Sequence, residues 1–218
     1  MSAIDDKYTQ LGGASGFLGS PKGAEVQCSD PTLRKRDYPY GSIYFQKAQP
    51  AAFEVHGDIA KKYYSLKADA GFLTYPISDE LVLPDCVGRV SHFNGGDIYW
   101  SPATGAFEVH GAILGRYMSI GGPQSPLGYP ISDEANTSDN TGRWNQFQFG
   151  VIFWKNGVGA HEVHGAILAK WKSLNQQAGS LGYPLTNEVP VATPTGGRQN
   201  KFEHGTILWT PTVGAIVA

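Results

Sequence analysis

Three short elements place a carboxylate and an imidazole two residues apart: Glu54/His56, Glu108/His110 and Glu162/His164, each inside a Glu-Val-His run. In an extended strand residues i and i+2 share a face. Each Glu and His therefore project together, while Val55, Val109 and Val163 point into the core. A second set, Asp79, Asp133 and Asn187, directly precedes a glutamate further along the chain. Joining each strand end to the following loop faces Glu54/His56 with Asp79, Glu108/His110 with Asp133, and Glu162/His164 with Asn187. Where a fourth such pair would lie, Val217 and Ala24 stand instead, so both polar halves are lost together. Carboxylate, imidazole and amide groups held close supply directional acceptors and donors for hydroxyls. Trp100, Trp154 and Trp209 offer faces for the C–H side of a sugar ring. The expectation is three carbohydrate-binding sites at successive junctions, with the fourth vacant. Two blander readings stand beside it: the Glu and His are solvated strand ends that cap the next helix, and the tryptophans fill the core under a sheet.

Other chemistry has less support. The Glu-x-His spacing matches no standard metal motif, and two ligands per junction are too few, so no metal or other cofactor is expected. A glycosidase needs two carboxylates flanking the bond. Glu108 with Asp133 would supply them, but near-equal copies with Asn187 in one argue against an active site. No nucleophile elbow, phosphate loop or paired Cys-x-x-Cys is present, and a non-enzymatic protein is expected. The chain of 218 residues carries a formal net charge of −2 without a basic block, so nucleic acid is not an expected partner. No apolar run reaches membrane-spanning length. The N-terminal MSAIDDKYTQLGG lacks the regions of a secretory signal. A soluble protein, cytoplasmic or secreted by a non-classical route, follows as an expectation, its oligomeric state open. Cys28 and Cys86 occupy non-equivalent places and are expected to be free thiols, although pairing is open.

The elements that must position these groups come from a period. GAFEVHGAILGRYMSIGGPQSPLGYPISDE (105–134) returns 54 residues later as GAHEVHGAILAKWKSLNQQAGSLGYPLTNE, and an earlier copy begins at Ala52. Such a period marks a repeat array. Four units, about 4–57, 58–111, 112–165 and 166–218, are expected to form a single repeat domain over 1–218. Each opens with an i, i+4, i+7 apolar stripe (Ile4, Tyr8, Leu11; Ile59, Tyr63, Leu66; Ile113, Tyr117, Ile120; Ile167, Trp171, Leu174), which predicts a short helix. Gly12-Gly13 and Gly121-Gly122 provide left-handed helix stops. A proline loop follows, then variable exposed connections, including 189–197, then two or three short antiparallel strands. Glu25, Glu80, Glu134 and Glu188, like Arg34, Arg89, Arg143 and Arg198, recur in every unit. They are read as frame: loop capping and mutual pairing. The fold class is α+β, four tandem repeats. Because the chain is cut between strand and helix and shows no polar capping repeat, closure into a pseudo-fourfold ring is expected.

Leu127-Gly128-Tyr129-Pro130, Leu181-Gly182-Tyr183-Pro184 and Leu18-Gly19-Ser20-Pro21, with the surrounding helix, proline loop and Gly-Ala-x-x-Val-x-Gly frame, resemble the LGFP repeat family across essentially the whole chain. The aromatic here is Tyr or Ser rather than Phe, and unit 2 reads Leu73-Thr74-Tyr75-Pro76. The resemblance implies binding of cell-wall glycan, often beside an enzyme in bacterial proteins. With no catalytic domain visible, the expected function is a multivalent lectin with glycans or glycoconjugates as partners. The alternatives are a cell-wall attachment module of a larger protein and a protein–protein scaffold.

Overall fold

The computed structural model describes residues 2–192 and 195–218; residues 193 and 194 of the 189–197 connection lie outside the described residues. Four repeats are present, each a short helix followed by a four-stranded antiparallel sheet in sequential order. They fall into two compact units, Met1–Glu108 and Val109–Ala218.

In the first unit, α1 (Ala3–Gln10) precedes the sheet of β1 (Val26–Gln27), β2 (Leu33–Tyr38), β3 (Gly41–Gln46) and β4 (Phe53–His56). Then α2 (Gly57–Ser65) precedes β5 (Leu81–Val82), β6 (Arg89–Phe93), β7 (Gly96–Ser101) and β8 (Gly105–His110). The second unit repeats this with α3 (Gly111–Ser119) and β9 (Ala135–Asn136), β10 (Gly142–Gln146), β11 (Gly150–Lys155) and β12 (Gly159–His164). It ends with α4 (Gly165–Ser173) and β13 (Val189–Pro190), β14 (Arg198–Phe202), β15 (Gly205–Thr210) and β16 (Gly214–Val217). Among the described residues no helix is long and apolar enough to cross a membrane. Both cysteines are free thiols. Cys28 is half-buried, and burial with the nearby Asp69 carboxylate pushes its thiol up to about 12.

Helices of eight or nine residues are too short to hold alone. The apolar stripes of α2 and α4 are held from two sides. Ile59, Ala60 and Tyr63 of α2 lie in one buried cluster with Leu33, Tyr44 and Val55 of the sheet before them and Leu73, Phe93 and Ile98 of the segment after. Ile167, Leu168 and Trp171 of α4 do the same between Val151, Phe153 and Val163 and Leu181, Tyr183, Phe202 and Ile207. α2 and α4 are thus each shared by the sheet they follow and the sheet they precede, while Ile4 of α1 lies in a buried cluster with Leu18, Tyr38, Ile43 and Ala52 of its own repeat.

The aromatic at the middle of each stripe has a second task. Tyr8 Oη donates to the Gly19 carbonyl at 3.0 Å, Tyr117 Oη to Gly128 at 2.7 Å and Trp171 Nε1 to Gly182 at 3.3 Å; Tyr63 Oη makes the same bond to Thr74. The acceptor is always the second residue of the Leu-Gly-Tyr-Pro run, and it is always left-handed, with φ of 76°, 59°, 70° and 69° for Gly19, Thr74, Gly128 and Gly182. That geometry turns a loop carbonyl inward while the preceding Leu (Leu18, Leu73, Leu127, Leu181) is buried. A Cβ at Gly128 or Gly182 would also come within 2.6 Å of Gln148 Oε1 or 2.4 Å of Glu203 Oε2. These are the side chains that accept from the Tyr129 and Tyr183 amides. Glycine is therefore required there twice, by backbone angle and by space.

Thr74 breaks this rule. A β-branched residue at φ 59° is strained, because the left-handed region costs an L-residue roughly 1–2 kcal/mol. Its Oγ1 bond to the Leu73 carbonyl at 2.7 Å returns only part of that cost. Thr74→Gly is expected to stabilise the protein by about 1 kcal/mol in chemical denaturation; an unchanged or lower midpoint would contradict the assignment of strain.

Candidate functional site

Each strand that closes a sheet runs straight into the next helix, with His56, His110 and His164 as N-cap residues. None of the three makes a side-chain bond to its own helix, so the capping reading does not describe them. The imidazoles turn instead to the loop glutamates: His56 Nε2 lies 3.6 Å from Glu80, His110 Nε2 3.3 Å from Glu134, and His164 Nε2 3.4 Å from Glu188. The first helical residues, Gly57, Gly111 and Gly165, have φ of 60°, 56° and 55°, which allows the chain to swing from strand to helix in one step.

The glutamates of the Glu-Val-His runs lie deeper than strand alternation alone suggests. Val55, Val109 and Val163 are fully buried as expected, but Glu54, Glu108 and Glu162 are also only 3%, 2% and 5% exposed. Their carboxylates hold the loop: Glu54 Oε1 accepts from the Glu80 amide at 2.9 Å and Glu162 Oε1 from the Glu188 amide at 3.2 Å. Glu162 Oε2 also accepts from Arg116 Nε at 2.6 Å. Burying a carboxylate is costly unless its oxygens are satisfied, and here the loop backbone satisfies them. The strand end and the following loop are thereby brought together as the sequence suggests, with the Glu as the hidden partner. Asp79 accepts from the Glu54 amide at 3.0 Å and from Lys7 Nζ at 2.7 Å. Asn187 Oδ1 meets His161 Nδ1 at 3.0 Å rather than His164. Asp133 is half-buried.

Beside these histidines the arginines reach the surface, while the loop glutamates lie beneath them, Glu134 and Glu188 with side chains only 6% exposed. Arg143 Nε donates to Glu134 at 2.7 Å, and Arg198 and Arg34 bond Glu188 and Glu25 in the same way. Strand register places an aromatic directly opposite each Arg: Arg34↔Phe45, Arg89↔Trp100, Arg143↔Trp154 and Arg198↔Trp209. Two shallow clefts of one design result. One, of about 280 Å³, is lined by His110, Gly111, Ala112, Glu134, Arg143 and Trp154. The other, of about 210 Å³, is lined by His164, Gly165, Ala166, Glu188, Arg198 and Trp209. The leading N–H groups of a helix have no partner within it, and these clefts lie over the first residues of α3 and α4. Trp154 and Trp209 are half-buried, so neither tryptophan is pure core filling.

The other two repeats vary the design. In repeat 2, Asp58 stands where Ala112 and Ala166 stand, and its carboxylate accepts from Trp100 Nε1 at 3.2 Å. In repeat 1 the N-cap is Ser2, whose Oγ donates to Glu25 at 2.7 Å, and Phe45 replaces the tryptophan. The signal available in the sequence was the pairing of an invariant-within-the-chain Arg with an aromatic eleven residues on, seen as Arg143 and Trp154. It was read as frame because all four repeats carry the Arg.

Charge follows distance. Burial raises Glu25, but its bonds from Arg34 and Ser2 outweigh that and leave its carboxyl below the usual range. Glu80, whose His56 and Arg89 partners both stand off at 3.6 Å, is instead raised, mainly by burial. His56 is also raised: burial works against its charge, but the 2.6 Å bond from Nδ1 to Glu54 and the nearby carboxylates prevail. Among the described residues no cluster of three or more His, Cys, Asp or Glu is placed to hold a metal ion.

Four tandem segments, each a short helix followed by a four-stranded antiparallel sheet, define a tandem α+β repeat protein. The LGFP repeat profile matches residues 18–71, 73–125, 127–179 and 181–218, and the chain belongs to that family. Comparison with curated proteins returns no match.

The His56–Glu54 pair gives a pH prediction. A histidine raised in the folded state contributes stability fully below its free value of about 6.5, and that contribution is lost as pH rises through the folded value. Nitrogen-15 NMR titration is expected to show His56 titrating above free histidine, with Glu54→Gln bringing it down. A His56 value at or below that of free histidine would contradict the pairing.

Proposed function

We propose that this protein is a non-enzymatic, multivalent carbohydrate-binding protein whose ligands lie in the His–Glu–Arg–Trp clefts of its repeats. The observation that carries the reading is the cleft itself: one accessible indole beside a fixed set of donors and acceptors. Trp154 or Trp209 offers a face to the apolar side of a pyranose. Arg143 or Arg198 and the histidine supply donors to ring hydroxyls, held in place by Glu134 or Glu188. The volumes, about 280 and 210 Å³, fall below the roughly 300–1,000 Å³ of drug-sized pockets and suit a single ring rather than a buried oligomer.

The same clefts argue against hydrolysis. Each has one loop carboxylate, nearly covered and tied to an arginine, and the strand glutamates Glu108 and Glu162 are buried. Glycoside cleavage needs two carboxylates free to act across one bond. A shallow site with one stacking contact binds weakly, and repetition on one chain compensates through avidity. Asp58 over Trp100 makes repeat 2 a different site from those of repeats 3 and 4, and the expectation of three equivalent sites gives way in this proposal to two matched clefts and one variant.

Membership of the LGFP repeat family favours a second reading, attachment to cell-wall glycan as part of a larger protein, and it uses the same clefts. Glycan-array binding separates the two. Signal displaced by simple sugars supports the lectin, binding only to intact wall supports attachment, and no glycan binding overturns both in favour of a scaffold. For the lectin, Trp154→Ala and Trp209→Ala are each expected to remove one site. Each loses about 0.5–1.5 kcal/mol of ring stacking, read by calorimetry as lowered stoichiometry with the melting temperature retained. Unchanged stoichiometry in both variants would overturn the assignment.

A further inference from the structure

A further cleft is built from residues that line neither indole cleft. It occupies about 480 Å³ in the first unit, between the turn joining β2 to β3 and the exposed side of α2. Its floor is a hydrogen-bonded chain: Ser42 Oγ meets Asp37 Oδ1 at 2.6 Å and Tyr64 Oη at 2.8 Å. Ser42 is 2% exposed, whereas Tyr40 on the turn is 69% and Tyr64 42% exposed. A buried hydroxyl, Ser42, thus joins the exposed Asp37 carboxylate to the Tyr64 phenol, with Tyr40 exposed on the turn beside them.

The repeats supply an internal comparison. Ser42 faces Val55 across β3 and β4, and in the second unit Val151 faces Val163 in the same register. Ala60 of α2 matches Leu168 of α4, Asp37 matches Gln146, Lys35 matches Trp144, and Tyr64 matches Lys172. Val151 and Leu168 are buried at 1% and 7% exposure. Where Val151 of the third sheet and Leu168 of α4 fill this position with two apolar side chains, Ser42 of the first sheet and Ala60 of α2 leave a hollow beside Asp37. Ala60 and Ser42 contribute less apolar burial than Leu and Val would, so the frame does not need this departure.

We propose that this cleft is a separate binding site for one neutral hexopyranose. Tyr40 and Tyr64 present faces to the ring, while Asp37, Ser42 and the Tyr64 hydroxyl bond its hydroxyls. The charge balance selects a neutral sugar over an acidic one. Three lysines line the cleft: Lys61 is answered by Asp58 at 2.8 Å and Lys35 by Asp69 at 3.5 Å, which leaves Lys22 against Asp37 and no net charge for an acidic sugar to meet. The site stands on its own groups and does not depend on the indole clefts.

The test is calorimetric and NMR titration of the full chain with methyl glycosides of glucose, galactose, mannose and N-acetylglucosamine, and with methyl glucuronide as the acidic control. Ala60→Leu, which installs the residue repeat 4 tolerates, is expected to weaken one neutral-hexoside site about tenfold or more, a change worth about 1.4 kcal/mol. Tyr40→Ala, on the exposed turn, is expected to do the same and serves if Ala60→Leu does not fold. Trp154→Ala with Trp209→Ala is expected to leave this site intact. The proposal is overturned if hexoside affinity is unchanged in both cleft variants, if all binding vanishes with the two tryptophans, if only the glucuronide binds, or if no hexoside binds at millimolar concentration. Loss confined to the tryptophan variants would sustain the indole clefts while sinking this one, so the two readings fail separately.

Discussion

One bond recurs at the centre of every repeat: a helix aromatic, buried in three repeats and half-buried as Tyr8 in the first, donates to the carbonyl of a left-handed loop residue. Tyr8, Tyr63, Tyr117 and Trp171 make it to Gly19, Thr74, Gly128 and Gly182. The bond alone contributes about 1 kcal/mol. Burying a ring of roughly 150–250 Å² contributes more, on the order of 4 kcal/mol at 25 cal/mol/Å². Burial therefore holds the helix in place, and the bond decides which way the loop faces. The loop's direction then determines where its glutamate emerges.

From there the site follows by short steps. The loop runs back along the hairpin, with Phe147 bridging Pro130 and Phe202 bridging Pro184. Its end is pinned by the buried strand glutamate, as Glu162 pins the Glu188 amide. That leaves the loop Glu beside the N-cap His of the helix and the Arg of the next strand, with Trp on the neighbouring strand. Core and site are continuous: Val163 is buried while its neighbours Glu162 and His164 serve the loop. A change at the frame glutamate therefore reaches the cleft without touching a ligand.

Much of this was legible in the sequence. The 54-residue period, the i, i+4, i+7 stripes and the glycine pairs at 12–13 and 121–122 gave four helices in their places, and the aromatic strands gave the hairpins. The meeting of Glu54 with Asp79 was legible too, from polar groups that vary together, whereas Asn187 turns to His161 instead of His164. Burial was not legible. Period-two alternation assigns Glu54 and Glu162 to a polar face, but it does not say that a neighbouring loop covers that face. Recurrence in all four repeats made Glu134, Glu188, Arg143 and Arg198 look structural, since packing explains an invariant residue as well as binding does. Only the register, which sets Arg143 opposite Trp154 and Arg198 opposite Trp209, shows them sharing one surface. The hollow over Ser42 was silent because it arises from what Ala60 lacks.

The most direct measurement of the central claim follows the indole N–H signals by NMR while a glycan is titrated, because the tryptophans carry their own controls. Trp154 and Trp209 line clefts, whereas Trp171 is fully buried with its Nε1 committed to Gly182. Saturable shifts at Trp154 and Trp209 with Trp171 unmoved are the predicted result. No shift at either cleft tryptophan at saturating glycan, or shifts of equal size at Trp171, would contradict binding at these clefts.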